Sequence, residues 1–479
     1  MLFNSFEYVL FLPIVFLLYW FVFNKSLKLQ NFFLLTVSYI FYGWWDWRFL
    51  SLIAFSSLVD YVAALKIESS EKRNTRRLFL TISLLTNLGF LGVFKYFNFF
   101  SQSLADGFEQ LGYTLHPLTL DVVLPVGISF YTFQTMSYSI DVYRKKLTAT
   151  KEIIDFFAYV SFFPQLVAGP IERATNLLPQ FHKKRIFSYD QGAIGMRQIL
   201  WGLFKKMVVA DNCAVMVDQI FDNHETLPGS VLIMGSIYFA IQIYGDFSGY
   251  SDIAIGTARL FGFKLMTNFR TPYFSRDMAE FWRRWHISLS TWFRDYLYIP
   301  LGGSRVNTQR AIRNTFFIFL VSGFWHGANW TFLAWGALNA IYFIPLLLTG
   351  YNRKNISTVA ENRCLPNIKE LLQMGITFAL TCIAWVFFRA ENISTAVTYL
   401  KGIITYKFIP DNYHYFHPKY IFILAIWLVL EWFIFRHDDA FGKIDLLSKW
   451  IRRPAYFILI CITIIFTVNE AQSFIYFQF

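Results

Sequence analysis

Charge is scarce in this chain of 479 residues. Asp, Glu, Lys and Arg make up 15% of it, where a soluble protein carries roughly a quarter. Cysteine is scarcer still. The four present (Cys213, Cys364, Cys382 and Cys461) form no C-x-x-C pair and have no regular spacing, so neither a disulfide framework nor a zinc site is suggested. There is no Walker sequence, no other glycine-rich nucleotide loop, no H-E-x-x-H and no G-x-S-x-G. ATP-driven pumping, metalloprotease chemistry and a serine-hydrolase elbow therefore have no support. Internal repeats and low-complexity tracts are missing too. No basic residue precedes the first apolar run and no small-residue cleavage site follows it, so Phe6–Phe23 reads as a retained span rather than a signal peptide.

What fills the chain instead is apolar. Hydrophobic residues make up 56%, and 56 Phe, 27 Tyr and 15 Trp make a fifth of the chain aromatic. They lie in runs of about 18 or more residues with almost no charge, the pattern of repeated bilayer spans. The fold class is all-α: a polytopic membrane protein of about 11–12 transmembrane helices plus re-entrant or interfacial helices. Spans are expected near 6–23, 29–46, 47–65, 78–100, 122–143, 193–213, 229–250, 315–330, 331–349, 370–388, 420–435 and 454–471. One integral-membrane domain, 1–479, is the simplest division.

The net charge of +12 could point to nucleic acid, but the basic residues are mostly confined to short loops between spans. They orient the protein and argue for membrane lipid, not nucleic acid, as the partner. Lys66–Arg77 holds five Lys/Arg, and Arg144–Lys151 and Tyr351–Lys369 hold four each, so these loops read as cytoplasmic. Ser101–Leu120 and Ala214–Ser230 hold none and read as external. The apolar stretch Ile153–Pro170 has basic flanks on both sides, which predicts a segment that dips in and returns.

Three polar exceptions interrupt the apolar runs. In Thr271–Gly303, Asp277 and Glu280 resemble a capping box. Met278, Phe281, Trp282, Trp285, Leu289, Trp292 and Phe293 then recur at helical spacing, with Ala279, Arg283, His286 and Ser290 on another face. The spacing predicts one amphipathic, interfacial helix of about 20 residues, with His286 at headgroup level unless it has a function.

The second exception is His326 in Val321–Trp330. The last cationic residue before it is Arg313, thirteen residues back, which places His326 roughly 20 Å into a core about 30 Å thick. Such a residue either hydrogen-bonds between helices or serves as a general base or nucleophile. Gly323 and Gly327 form a G-x-x-x-G pair that permits close approach, and Asn329 is spaced to orient the ring or a substrate. In the third, Tyr244–Gly256, Asp246 and Asp252 are expected to pair with arginines of 270–294.

Five ordered segments carry a resemblance: WRRWHISLSTWFRDYLYIPLGG (282–303), GFWHGANWTFLAWG (323–336), DFSGYSDIAIG (246–256), FFPQLVAGPIER (162–173) and LPVGISFYTFQ (124–134). Together they closely resemble the membrane-bound O-acyltransferase (MBOAT) family, in its bacterial alginate O-acetyltransferase membrane-subunit branch. WVFFRAE (385–391) and FIYFQF (474–479) look like that branch as well. The resemblance implies that His326 is the catalytic histidine and His286 the second histidine of the branch. Trp325, Trp285, Asn329, Arg283, Asp246 and Ser290 are candidate substrate- or tunnel-lining residues. It also implies a ring of helices around a thin centre, with an outer funnel and a cytoplasmic tunnel.

The expected activity is transfer of an acyl group, most simply acetyl, from a cytoplasmic thioester such as acetyl-CoA to an extracytoplasmic hydroxyl of a cell-surface polysaccharide. The location implied is the bacterial inner membrane, no cofactor is bound permanently, and an SGNH-type partner passes the acetyl group onward. Arg283, Arg284, Arg305, Arg310 and Arg313 are candidates for the rim that meets the donor's phosphates. The aromatic loop Glu391–Lys419, with Tyr399, Tyr406, Tyr413, Tyr415, Phe416, His414, His417 and Pro418, is a candidate docking surface. Peptidoglycan or cellulose O-acetylation, D-alanyl transfer to teichoic acid, a long-chain acyl donor and a non-enzymatic polysaccharide transporter are the alternatives.

Overall fold

The computed structural model describes the chain except residues 168, 362, 411–413, 417, 436–439, 469–473 and 476–479. The described residues are helical, with turns and loops between the helices and no strand. They divide into two compact units, 1–196 with 254–266, and 197–253 with 267–479.

The first unit contains α1 (Phe6–Leu17), α2 (Leu27–Gly43), α3 (Phe49–Ser69), α4 (Arg73–Leu91), α5 (Phe97–Gln110), α6 (Ile128–Tyr143), α7 (Ile153–Ser161), α8 (Phe163–Leu166) and α9 (Ala174–Phe181). In hydrocarbon, packed helices gain little from apolar burial against one another, so buried polar side chains tie them. Asp60 of α3 accepts from Ser83 and Asn87 of α4 and from Ser139 of α6. Asn87 in turn accepts from Ser56 and Thr135. Each such bond contributes only about 0.6 kcal/mol, but leaving any of these groups unsatisfied in an apolar interior costs more.

The chain continues through α10 (Tyr189–Phe204), α11 (Asp211–Asp222), α12 (Gly229–Leu260), α13 (Met278–Arg284), α14 (Ile287–Phe293), α15 (Thr308–His326), α16 (Trp330–Leu348), α17 (Ile368–Arg389), α18 (Ile393–Thr405), α19 (Pro418–Phe435), α20 (Ala440–Lys443) and α21 (Lys449–Ile465). The second unit has an aromatic core in which Trp285, Trp335, Trp385 and Trp427 are all fully buried.

Among the described residues, each of the twelve expected apolar runs lies mainly on helix. Among the described residues, however, only six helical stretches are long and apolar enough to cross a membrane: Phe6–Lys25, Phe49–Ser69, Arg73–Gln110, Gly229–Leu260, Trp330–Leu348 and Ile368–Arg389. Several of the others are short. α2 and α21 have 17 residues and α6 has 16, against the roughly 20 needed to span. α6 is buried along nearly its whole length. A helix enclosed by protein can be short or partly polar. The exposed faces are apolar: Phe6, Phe21 and Leu85 are each more than 60% exposed, as expected of surface that meets lipid.

One further expectation fits the helices and another changes. Ile153–Leu166 is a short apolar helical stretch, and the chain breaks at Phe162 between α7 and α8. This fits a segment too short to cross. The loop Glu391–Lys419 contains α18, and Tyr399 is buried there, stacked on Phe221 at 4.5 Å and donating to the Leu232 carbonyl. Tyr399 is therefore core, not docking surface. Tyr413, His417 and the end of FIYFQF (476–479) lie outside the described residues.

Candidate active site

Thr271–Gly303 does not form one helix. α13 and α14 are seven residues each, and between them Trp285 is extended while His286 has a left-handed backbone, φ +42°. Asp277 caps α13 by accepting from the Glu280 N–H at 2.7 Å. The Glu280 carboxylate turns to Arg276 and Arg284 instead of closing a capping box. The break destroys the expected polar face. His286 is 1% exposed, enclosed by protein and not on a polar surface. Ser290 donates to the Trp285 carbonyl at 3.3 Å, across the turn.

His286 packs edge-on against Phe247 of α12, with ring centroids 4.7 Å apart, and lies 6.2 Å from Phe269. Its Nδ1 is 3.1 Å from the side-chain oxygen of Asn268. Burial lowers its pKa below the ordinary imidazole value, which favours the neutral ring.

His326 is the last residue of α15 and is also buried, 3% exposed. Asn307 caps the start of that helix, and α15 is continuous through Arg313 to His326. Close contact between α15 and α16 positions the ring. A Cβ on Gly323 would fall 2.2 Å from the Phe332 carbonyl oxygen, and one on Gly336 would fall 2.4 Å from that of Phe319. Only glycine fits at both places. The approach brings His326 edge-on to Trp335 of α16 at 5.1 Å and to Phe388 of α17 at 5.3 Å. Trp325 stands 5.0 Å from His326 and 6.1 Å from His286. The two imidazoles are 6.4 Å apart, centroid to centroid. Trp285 lies behind this group, packed on Trp385 at 5.0 Å.

The other candidates have structural partners. Asn329 caps α16 through Thr331 and donates to the Glu391 carbonyl at 2.8 Å, so its side-chain hydrogen bonds go there and not to His326. Arg283 donates to the carbonyls of Asn352 and Asn355, pinning that loop. Asp246 pairs not with an arginine but with Lys206 at 2.8 Å, and accepts from the Ile475 N–H. Asp252 pairs with Lys205. Both lysines are buried in a π-helical turn, Lys205–Ala210. The sequence hid them because they fall in an apolar run that reads as a span.

Asn268, Trp335 and Phe388 are the neighbours that sequence reasoning did not single out. Asn268 carries no signal, since its place depends on a backbone reversal 18 residues on. Among the described residues, no three His, Cys, Asp or Glu side chains gather where a metal ion could be held.

Both histidines are thus buried side by side among aromatic rings. The sequence model of the membrane-bound O-acyltransferase family matches residues 74–387. The chain belongs to this family. The enzyme is 41% identical over 389 residues to the probable alginate O-acetylase AlgI of Pseudomonas aeruginosa, covering 81% of this chain and 71% of that protein. It is 33% identical to the peptidoglycan O-acetyltransferase of Helicobacter pylori over the whole of this chain and 98% of that one. The teichoic acid D-alanyltransferase of Streptococcus thermophilus is more distant, 29% identical over 53% of this chain and 64% of that one. The acyltransferase is thus a multi-pass membrane O-acetyltransferase of the alginate O-acetylation branch.

Proposed function

We propose that this acyltransferase moves an acetyl group from a cytoplasmic thioester, acetyl-CoA or its like, to a hydroxyl of a cell-surface polysaccharide outside the inner membrane. The thioester and the alcohol become an ester and a thiol, so the proton lost by the hydroxyl ends on the leaving thiolate. His326 is the residue to carry that proton, with His286 assisting. The observation that carries the reading is the pair of buried imidazoles 6.4 Å apart inside a wall of Trp325, Trp335 and Phe388. One oxygen between the rings could meet both through hydrogen bonds of about 2.8 Å. The aromatic wall excludes the water that would otherwise hydrolyse the thioester.

An alginate-like exopolysaccharide is the first acceptor to test, reached directly or through an SGNH-type partner outside the membrane. Peptidoglycan is the second reading, favoured by the full-length match to the Helicobacter enzyme. Mass spectrometry of surface polymers from cells carrying the wild type or His326→Ala separates them. The polymer that loses its O-acetyl groups is the acceptor. Wild-type acetylation with a normally inserted His326→Ala protein would overturn the mechanism.

A further inference from the structure

We infer that Asn268 is a positioning residue for the transfer, holding His286 as the Nδ1–H tautomer so that Nε2 is the ring's proton acceptor. The Ser288 backbone N–H can only donate, and it points at one side-chain atom of Asn268 at 3.3 Å. That atom is therefore the amide oxygen. The Ser288 hydroxyl donates to it as well, at 2.8 Å, while the amide nitrogen donates to the Ser251 hydroxyl at 3.2 Å. Both ends of the amide agree, so a flipped Asn268 is excluded by its own neighbours.

An amide oxygen accepts and never donates. His286 Nδ1, 3.1 Å from it, must therefore carry the hydrogen. A neutral imidazole has one N–H, so Nε2 carries a lone pair. The same residue braces the backbone. The Asn268 carbonyl accepts from the Ile287 N–H at 2.8 Å, immediately after His286. The left-handed conformation of His286 costs of order 1 kcal/mol or more, and Asn268 holds the turn through its main chain while holding the ring through its side chain. Asn268 and Ser288 are both fully buried, and Ser251 nearly so.

The consequence narrows the chemistry. Through Nε2, His286 can accept from an incoming hydroxyl. It cannot donate to a developing oxyanion, because its hydrogen is committed to Asn268. The inference rests on the reading that His286 takes part in transfer, and the test separates the two. The rate at which base-labile acetate appears on the cell surface, per protein in the membrane, is measured for the wild type, N268A, N268D, H286A and N268A/H286A. N268A should be about 10- to 100-fold slow. N268D should recover much of that loss, because its carboxylate accepts the same bonds. The double variant should be no slower than H286A.

H286A at the wild-type rate would remove the underlying reading. A slow H286A beside an unimpaired N268A, or a double variant slower than H286A by the full N268A factor, would overturn the positioning role alone. Nitrogen-15 NMR of histidine-labelled protein in bilayers, with H286A identifying the signal, reads the tautomer in the wild type and needs no variant at position 268 to fold. A protonated Nδ1 beside a bare Nε2 is expected. A protonated Nε2 would overturn the inference.

Discussion

His326 and His286 lie 6.4 Å apart and are held in opposite ways. His326 ends a 19-residue helix and is enclosed by rings, from Trp325 beside it, Trp335 on α16 and Phe388 on α17. Its position follows from helix length and from glycines that let α15 and α16 touch. His286 lies in a break between two seven-residue helices, with a left-handed backbone and a ring held by one buried amide. The first arrangement is set by packing and the second by hydrogen bonds. A cage of rings fixes where an imidazole is, whereas an amide also fixes which of its nitrogens bears the proton.

The comparison breaks most sharply if the two histidines are removed in turn. His326→Ala should reduce acetylation to background, whereas His286→Ala should leave a residual rate about 100-fold below the wild type, both measured as surface O-acetyl per inserted protein. The reverse order would exchange the roles. The next effect tests what supports His286 alone. Lys206 pairs with Asp211 and with Asp246, the residue before Phe247, whose ring packs on His286. Lys206→Met leaves two buried carboxylates without their cation and should cost about 3–5 kcal/mol, read as a lower Tm in detergent. The smallest effect is expected at Arg283, which was a candidate for the donor's phosphates. Since its guanidinium is exposed and bonded to the Asn352 and Asn355 carbonyls, Arg283→Ala should change the rate by less than about two-fold. A large rise in KM for acetyl-CoA would return it to the rim.

Much of the architecture was legible because hydrophobic runs have a length scale that the bilayer sets. Among the described residues, each of the twelve expected runs lies mainly on helix. The place of His326 along α15 was legible as well, since the helix runs unbroken from Thr308. That α6 would be buried along nearly its whole length by neighbours distant in the sequence was not. Nor was the break at Trp285–His286. The apolar periodicity of 278–293 is continuous there, and the bonds that Asn268 accepts from Ile287 and Ser288, with the one from the Arg270 N–H to the Arg284 carbonyl, favour a reversal over another helical turn. Asp246 shows the limit in another form. Its need for a cation was evident from the cost of a bare buried charge, but which cation met it depended on where the Lys205–Ala210 turn packs.

The sequence by itself therefore determined a helical membrane protein whose motifs resemble the acyltransferases, and put one histidine on an apolar stretch far from the nearest charge. These follow from composition, helical rise and motif, all of which are local or additive along the chain. Only the tertiary structure decided that a second histidine stands beside the first, that Asn268 holds it, and that Asn329 and Arg283 have structural partners. A hydrogen bond between residues 18 or more apart depends on directions that spacing does not encode.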